Sequence, residues 1–96
     1  MSEQEHIETR GRMAILMDNI RTIGRARDNL LRPLRDRIKH ALPEDRFAAE
    51  VPGELDMTAL REELTAVERA ETLLANSVRE YNNLAARINK PLLKRG

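Results

Sequence analysis

Few side chains in this sequence are of types that carry out reactions, and none is spaced for one. The two histidines, His6 and His40, stand far apart, and neither shares a metal-ligand spacing with a carboxylate pair. His40, near the end of the first helical segment, complements the negative end of a helix dipole. Ser2 and Ser77 have no neighbouring base to activate a hydroxyl, and the four glycines form no loop that could cradle a phosphate. Cysteine is absent, which removes thiolate chemistry, cysteine metal sites and disulfides. The expectation is a protein that is not an enzyme and uses no cofactor and no metal.

Two polar features remain. Arg27 and Glu71 are the residue types with which small helical bundles such as chorismate mutases hold a dianionic metabolite. The distributed Arg and Lys residues of such a site are missing here. The second feature is a basic stripe, Arg21, Arg25, Arg32, Arg35 and Lys39, facing outward on the first helical segment and broken by Asp28. Residues 1–42 carry nine basic and six acidic side chains, and the remainder carries eight and ten. The stripe could follow a phosphate backbone, so nucleic-acid binding is the alternative reading. The same arginines also suit intrahelical pairs with Asp18, Asp28 and Asp36. Only Phe47 and Tyr81 are aromatic, which leaves no stacking platform for single strands. The whole chain balances 17 Lys and Arg against 16 Asp and Glu, and exerts no general pull on polyanions or membranes.

The elements that must position these groups are legible from periodicity. From Met57 onward, apolar residues fall at Leu60, Leu64, Val67, Leu74, Val78, Tyr81, Ala85, Ile88 and Leu92, spaced alternately three and four, with Glu71 in the gap. This is a long helix that buries one narrow seam against another helix. Its partner runs from Ser2 to Ala41, with Met13, Leu16, Ile20, Ile23, Leu30, Leu34 and Ala41 on the same spacing. Arg27 and Arg37 interrupt that seam. Ser2 with Glu5 fits a capping box, and Asp56 is a good N-cap for the second helix, with Leu55 and Leu60 placed as a hydrophobic staple. Pro33 removes a backbone donor, yet Leu34, Ile38 and Ala41 keep the phase, so the first helix reads as kinked rather than split.

The expected fold is therefore all-α, one helical-hairpin domain spanning 1–96. Helix one covers about 2–41, a connector 42–56, helix two about 57–90 and a basic tail 91–96. In the connector, Pro43 opens a short helix to Glu50 whose Phe47 and Val51 plug the bundle end, and Pro52-Gly53 breaks it. Pro91 stops helix two, and Lys90, Lys94 and Arg95 suit its negative end. A short connector makes the helices antiparallel, with layers such as Leu16 with Ala85, Ile20 with Tyr81 and Leu34 with Val67. Arg27 then falls beside Leu74 and Glu71 beside Leu30. The two charges reach each other diagonally as a register-setting pair, or else Arg27 snorkels to solvent and Glu71 lies at the seam edge.

A second apolar stripe lies one position further round. Met17, Leu31 and Ile38 on helix one, with Ala66, Ala70, Leu73 and Leu84 on helix two, exceed what one hairpin buries. Met13, Met17, Leu31, Ile38, Leu73 and Leu84 are the expected partner-binding residues, because flexible Met and Leu suit adaptable grooves. The surplus faces the short connector helix that carries Phe47, as the rim of a three-helix core, or else a second copy, giving a dimeric bundle, or another protein. The longest apolar run, Met13–Met17, is too short to span a membrane. The opening Met-Ser-Glu-Gln-Glu-His is unlike a signal peptide, and a cytoplasmic location follows as the expectation.

One stretch resembles a family. Leu60-Arg-Glu-Glu-Leu-Thr, then Glu68, then Val78-Arg-Glu-Tyr-Asn82 resembles the last long helix of LemA-type proteins, which join an acidic helix to a Val-x-x-Tyr-Asn element. The resemblance is confined to helix two and implies a long-helix scaffold rather than a reaction, with no site residue attached. Read directly, Tyr81 is a seam residue with its hydroxyl at the edge, and Asn82 faces out.

Overall fold

The computed structural model describes residues 2–42 and 53–96. It contains two helices packed on each other, α1 (Glu3–Ala41) and α2 (Met57–Arg87), and no strand among the described residues. The short connector helix expected over 43–50, with Phe47 and Val51 as its plug, lies outside the described residues.

Both helices start where their caps direct. The Ser2 hydroxyl accepts from the Glu5 amide at 3.1 Å, and Glu3 and Glu5 occupy the positive first turn. The Asp56 carboxylate accepts from the Ala59 amide at 3.0 Å. Lys39 and His40 lie in the last turn of α1, where the Lys39 charge suits the exposed carbonyls. Pro33 lies inside α1 without ending it.

Three ion pairs join the helices: Arg12 to Glu80 at 2.9 Å, Arg27 to Glu71 at 2.6 Å and Arg37 to Glu63 at 2.7 Å. Residue numbers rise along α1 as they fall along α2, which only an antiparallel pairing allows. The least exposed core residues are Leu16 and Ala85, the two assigned to one layer. Met13, Leu34, Leu60, Ala70 and Leu74 are the other buried apolar residues among those described. Leu34, the residue directly after Pro33, is buried, so the seam continues past the proline. At the connector end of the hairpin, Gly53 is pressed on the end of α1. A Cβ there would sit 2.8 Å from the Ala41 carbonyl oxygen, so this position has no room for a side chain.

The seam on α2 departs from the strict heptad. Leu64 is 46% exposed, whereas Ala70 is buried and Glu63 is turned inward enough to leave its side chain only 20% exposed. Between Leu60 and Leu74 the inward set is thus 60, 63, 67, 70 and 74, one position back from 64 and 71. Turning α2 this way puts the small Ala70 against α1 and moves the Glu71 carboxylate to the rim, where it is not stripped of water. The cost is Leu64 in solvent. A second cost is Glu63, whose Oε1 accepts from Arg37 while its buried Oε2 has no partner among the described residues. Helix two also stops at Arg87, three residues before the expected Lys90. Asn89 adopts φ 57°, the Lys90 amide donates to the Ala85 carbonyl at 2.8 Å and the Asn89 amide donates to Ala86 at 3.4 Å. That is a Schellman ending with asparagine in the left-handed position, and Pro91 follows it.

The rotated seam predicts unequal costs for two leucines. Leu16→Ala is expected to lower unfolding stability by about 2–5 kcal/mol, and Leu64→Ala by less than about 1 kcal/mol. Chemical denaturation of the two variants checks this; a larger loss at Leu64 would restore the strict heptad.

Candidate interaction surface

Past the Schellman turn the chain doubles back along the hairpin. The Asn82 side chain holds it: Nδ2 donates to the Leu93 carbonyl at 3.0 Å, and Oδ1 accepts from the Leu93 amide at 2.8 Å. Both polar groups of one backbone residue are thus matched by one carboxamide. Further along, Arg95 Nη2 donates to Glu71 Oε1 at 2.8 Å. The strap formed by residues 90–96 faces both helices. Pro91, Leu92 and Leu93 close one side of a hollow lined by Met13, Met17 and Tyr81. Leu93 and Arg95 continue along a second hollow past Gly24 and Arg27.

Glu71 is where three segments meet. Its Oε1 accepts from Arg27 of α1 and from Arg95 of the strap, and Arg27 also donates to Asp28. The two arginines, Arg95 foremost and then Arg27, hold the Glu71 carboxyl at about 2, well below the ordinary 4.5. In return, hydrogen bonding to Glu71 and then to Asp28 raises Arg27, and Glu63 raises Arg37. Glu71 keeps 40% of its side chain in solvent, so screening makes this cluster a positional device more than a source of stability.

The residues expected at the partner surface separate into three groups. Met13 is buried in the core and is corrected out of that surface. Its place on the α1 seam outweighs its flexibility. Met17 and Leu84 are half-buried, and Met17 lines both strap hollows. Leu31, Ile38 and Leu73 remain exposed. Leu31 and Ile38 come together with Leu34 and Leu42 in a groove at the connector end of α1, flanked by the stems of Arg35 and Lys39. Leu73 lies apart, among Thr65, Glu68, Arg69 and Thr72 of α2. Ala70, assigned to the surplus stripe, is in the core.

Arg27 and Glu71 do meet, as expected from the antiparallel register. All five members of the basic stripe are exposed. Among the described residues Arg21 approaches Asp18 at 4.0 Å and Arg35 pairs with Asp36 at 3.3 Å. No group of three or more His, Cys, Asp or Glu is placed to hold a metal among the described residues, and no helix there is long and apolar enough to cross a membrane.

Asn82 and Arg95 are the site residues that sequence reading missed. Asn82 does not simply face out, and Arg95 reaches back to mid-helix instead of complementing the end of α2. One local signal was available: Asn89 two residues before Pro91 marks a left-handed turn that sends the chain back on itself. No family model, curated protein or solved structure matches this chain.

A depressed carboxyl fixes the direction of a pH effect. Strap docking through Glu71 is complete above about pH 4.5, where the carboxyl is ionised whether the strap is docked or free. It is lost as pH falls toward about 2. Carbon NMR of the Glu71 carboxyl is expected to show a midpoint near 2 that rises in Arg95→Gln. An unmoved midpoint in that variant would remove Arg95 from the cluster.

Proposed function

We propose that this chain is a non-catalytic protein–protein interaction module of the adaptor, assembly-chaperone or inhibitor kind, acting through the apolar face at the connector end of α1. The supporting observation is a shortage of cover. The chain exposes 7758 Å², whereas a folded monomer of 11.0 kDa exposes about 5,600 Å². Its radius of gyration is 20.0 Å, against about 12–13 Å for a compact domain of this length. The excess includes Leu31 at 36%, Ile38 at 46% and Leu42 at 63% exposed, side by side in one groove. A helix laid into that groove gains roughly 25 cal/mol for each Å² of apolar surface removed from water.

The occupant that suits an elongated hairpin best is a second hairpin, making a dimeric four-helix bundle in which each copy covers the other's Leu31 and Ile38. A bend at Pro33 belongs to this reading, since it would aim the last two turns of α1 at the partner. The cytoplasm is the compartment proposed for such a module.

Sedimentation equilibrium over a concentration series tests the proposal. The mass is expected to rise from one chain to two, and Leu31→Glu with Ile38→Glu is expected to hold it at one while helicity is kept. A strict monomer that also captures no protein would overturn the reading.

Exposure of Arg21, Arg25, Arg32, Arg35 and Lys39 on one helix supports nucleic-acid binding as the second reading. Under it, fluorescence anisotropy with a labelled duplex shows binding that weakens steeply with salt, and Arg25→Glu with Arg32→Glu abolishes it. Salt-independent or absent binding excludes this reading.

A further inference from the structure

We propose that the cleft now filled by the strap is a receptor site for an extended basic segment of another protein, and that residues 90–96 are its displaceable internal occupant. The site is distinct from the Leu31–Leu42 groove and does not depend on it.

The recognition is built from parts that do not require the strap's own sequence. The Asn82 carboxamide pairs with the amide and the carbonyl of a single residue, here Leu93, which is recognition of main chain rather than side chain. Any extended segment offers that pair of groups except at proline. Side-chain selection comes from Glu71, which lies eleven residues before Asn82, about 16 Å along the helix axis. Two residues of extended chain cover about 7 Å, and the long Arg95 side chain spans the remainder. The readable pattern is therefore an apolar residue on Asn82 with arginine two positions later. A carboxylate at that second position would face Glu71 and be rejected.

The strap is held lightly enough to be exchanged. Beyond Lys90, whose amide closes the turn on the Ala85 carbonyl, its polar attachments to the helix surface among the described residues are the Asn82 pair and one ion pair whose Arg95 side chain is 39% exposed. Leu92 beside them is more than half exposed and Leu93 is half-buried, so the apolar burial that resists opening is chiefly that of one leucine. A site occupied in cis binds a competitor weakly until its own occupant is loosened, by the fraction of time it stands open.

The test uses full-length chains and a fluorescein-labelled peptide of the sequence Pro-Leu-Leu-Lys-Arg-Gly. In the receptor chain, Leu93→Pro removes the amide that Asn82 accepts and Arg95→Ala removes the ion pair. Circular dichroism confirms that α1 and α2 persist. The peptide is expected to bind this chain at least tenfold more tightly than it binds wild type. Adding Asn82→Ala, or replacing the peptide's arginine with glutamate, is expected to cancel the gain. Arg95→Ala alone, which leaves the strap backbone intact, gives the same order in smaller measure. Equal binding to wild type and loosened chain, absence of binding, or indifference to Asn82→Ala would each overturn the proposal.

Discussion

One carboxylate ties this molecule together. Glu71 of α2 accepts from Arg27 of α1 and Arg95 of the strap, so the relative position of all three segments is read at a single oxygen atom. Its place at the rim follows from the chemistry of burial. Full desolvation of an ion costs more than its partner returns, and with α2 turned so that Ala70 faces inward Glu71 meets water and two guanidinium groups together, while Glu63 is the carboxylate brought closer to the seam. The exposed Leu64 and the half-satisfied Glu63 are consequences of that same rotation.

Shape follows from the thin core. Two helices packed side by side give a rod of 69 × 23 × 15 Å, in which each helix packs on one other helix among the described residues. On the half of the hairpin where α1 begins and α2 ends, the strap partly covers the pair. On the half toward the connector, Leu31, Ile38 and Leu42 are left exposed among the described residues. The rod therefore has two faces with different needs: one lined by the docked strap, the other apolar and without a described cover. A module that binds proteins at two places along its length is the reading that gives both faces a use.

Much of the frame was legible in the residues. Three-four spacing marked both helices, Ser2 and Asp56 marked their starts, and antiparallel pairing brought Arg27 within diagonal reach of Glu71. The misses share a physical origin. A heptad template weighs hydrophobicity alone, and so it placed Leu64 inward where the neighbouring Glu63 turns in to pair with Arg37. Met13 looked adaptable by type, but its seam position buries it. Asn82 and Arg95 escaped because their partners are a backbone amide and a residue far back along the helix, and neither contact has a periodic signature. Only Asn89 ahead of Pro91 hinted that the chain returns.

Amide hydrogen exchange at Leu93 in the full-length chain is the most direct measurement of this account. Docking of the strap by Asn82 and its anchoring through Glu71 predict a Leu93 amide protected well beyond its random-coil rate, with the protection lost in both Asn82→Ala and Glu71→Gln. A Leu93 amide that exchanges freely in the wild-type chain would contradict it.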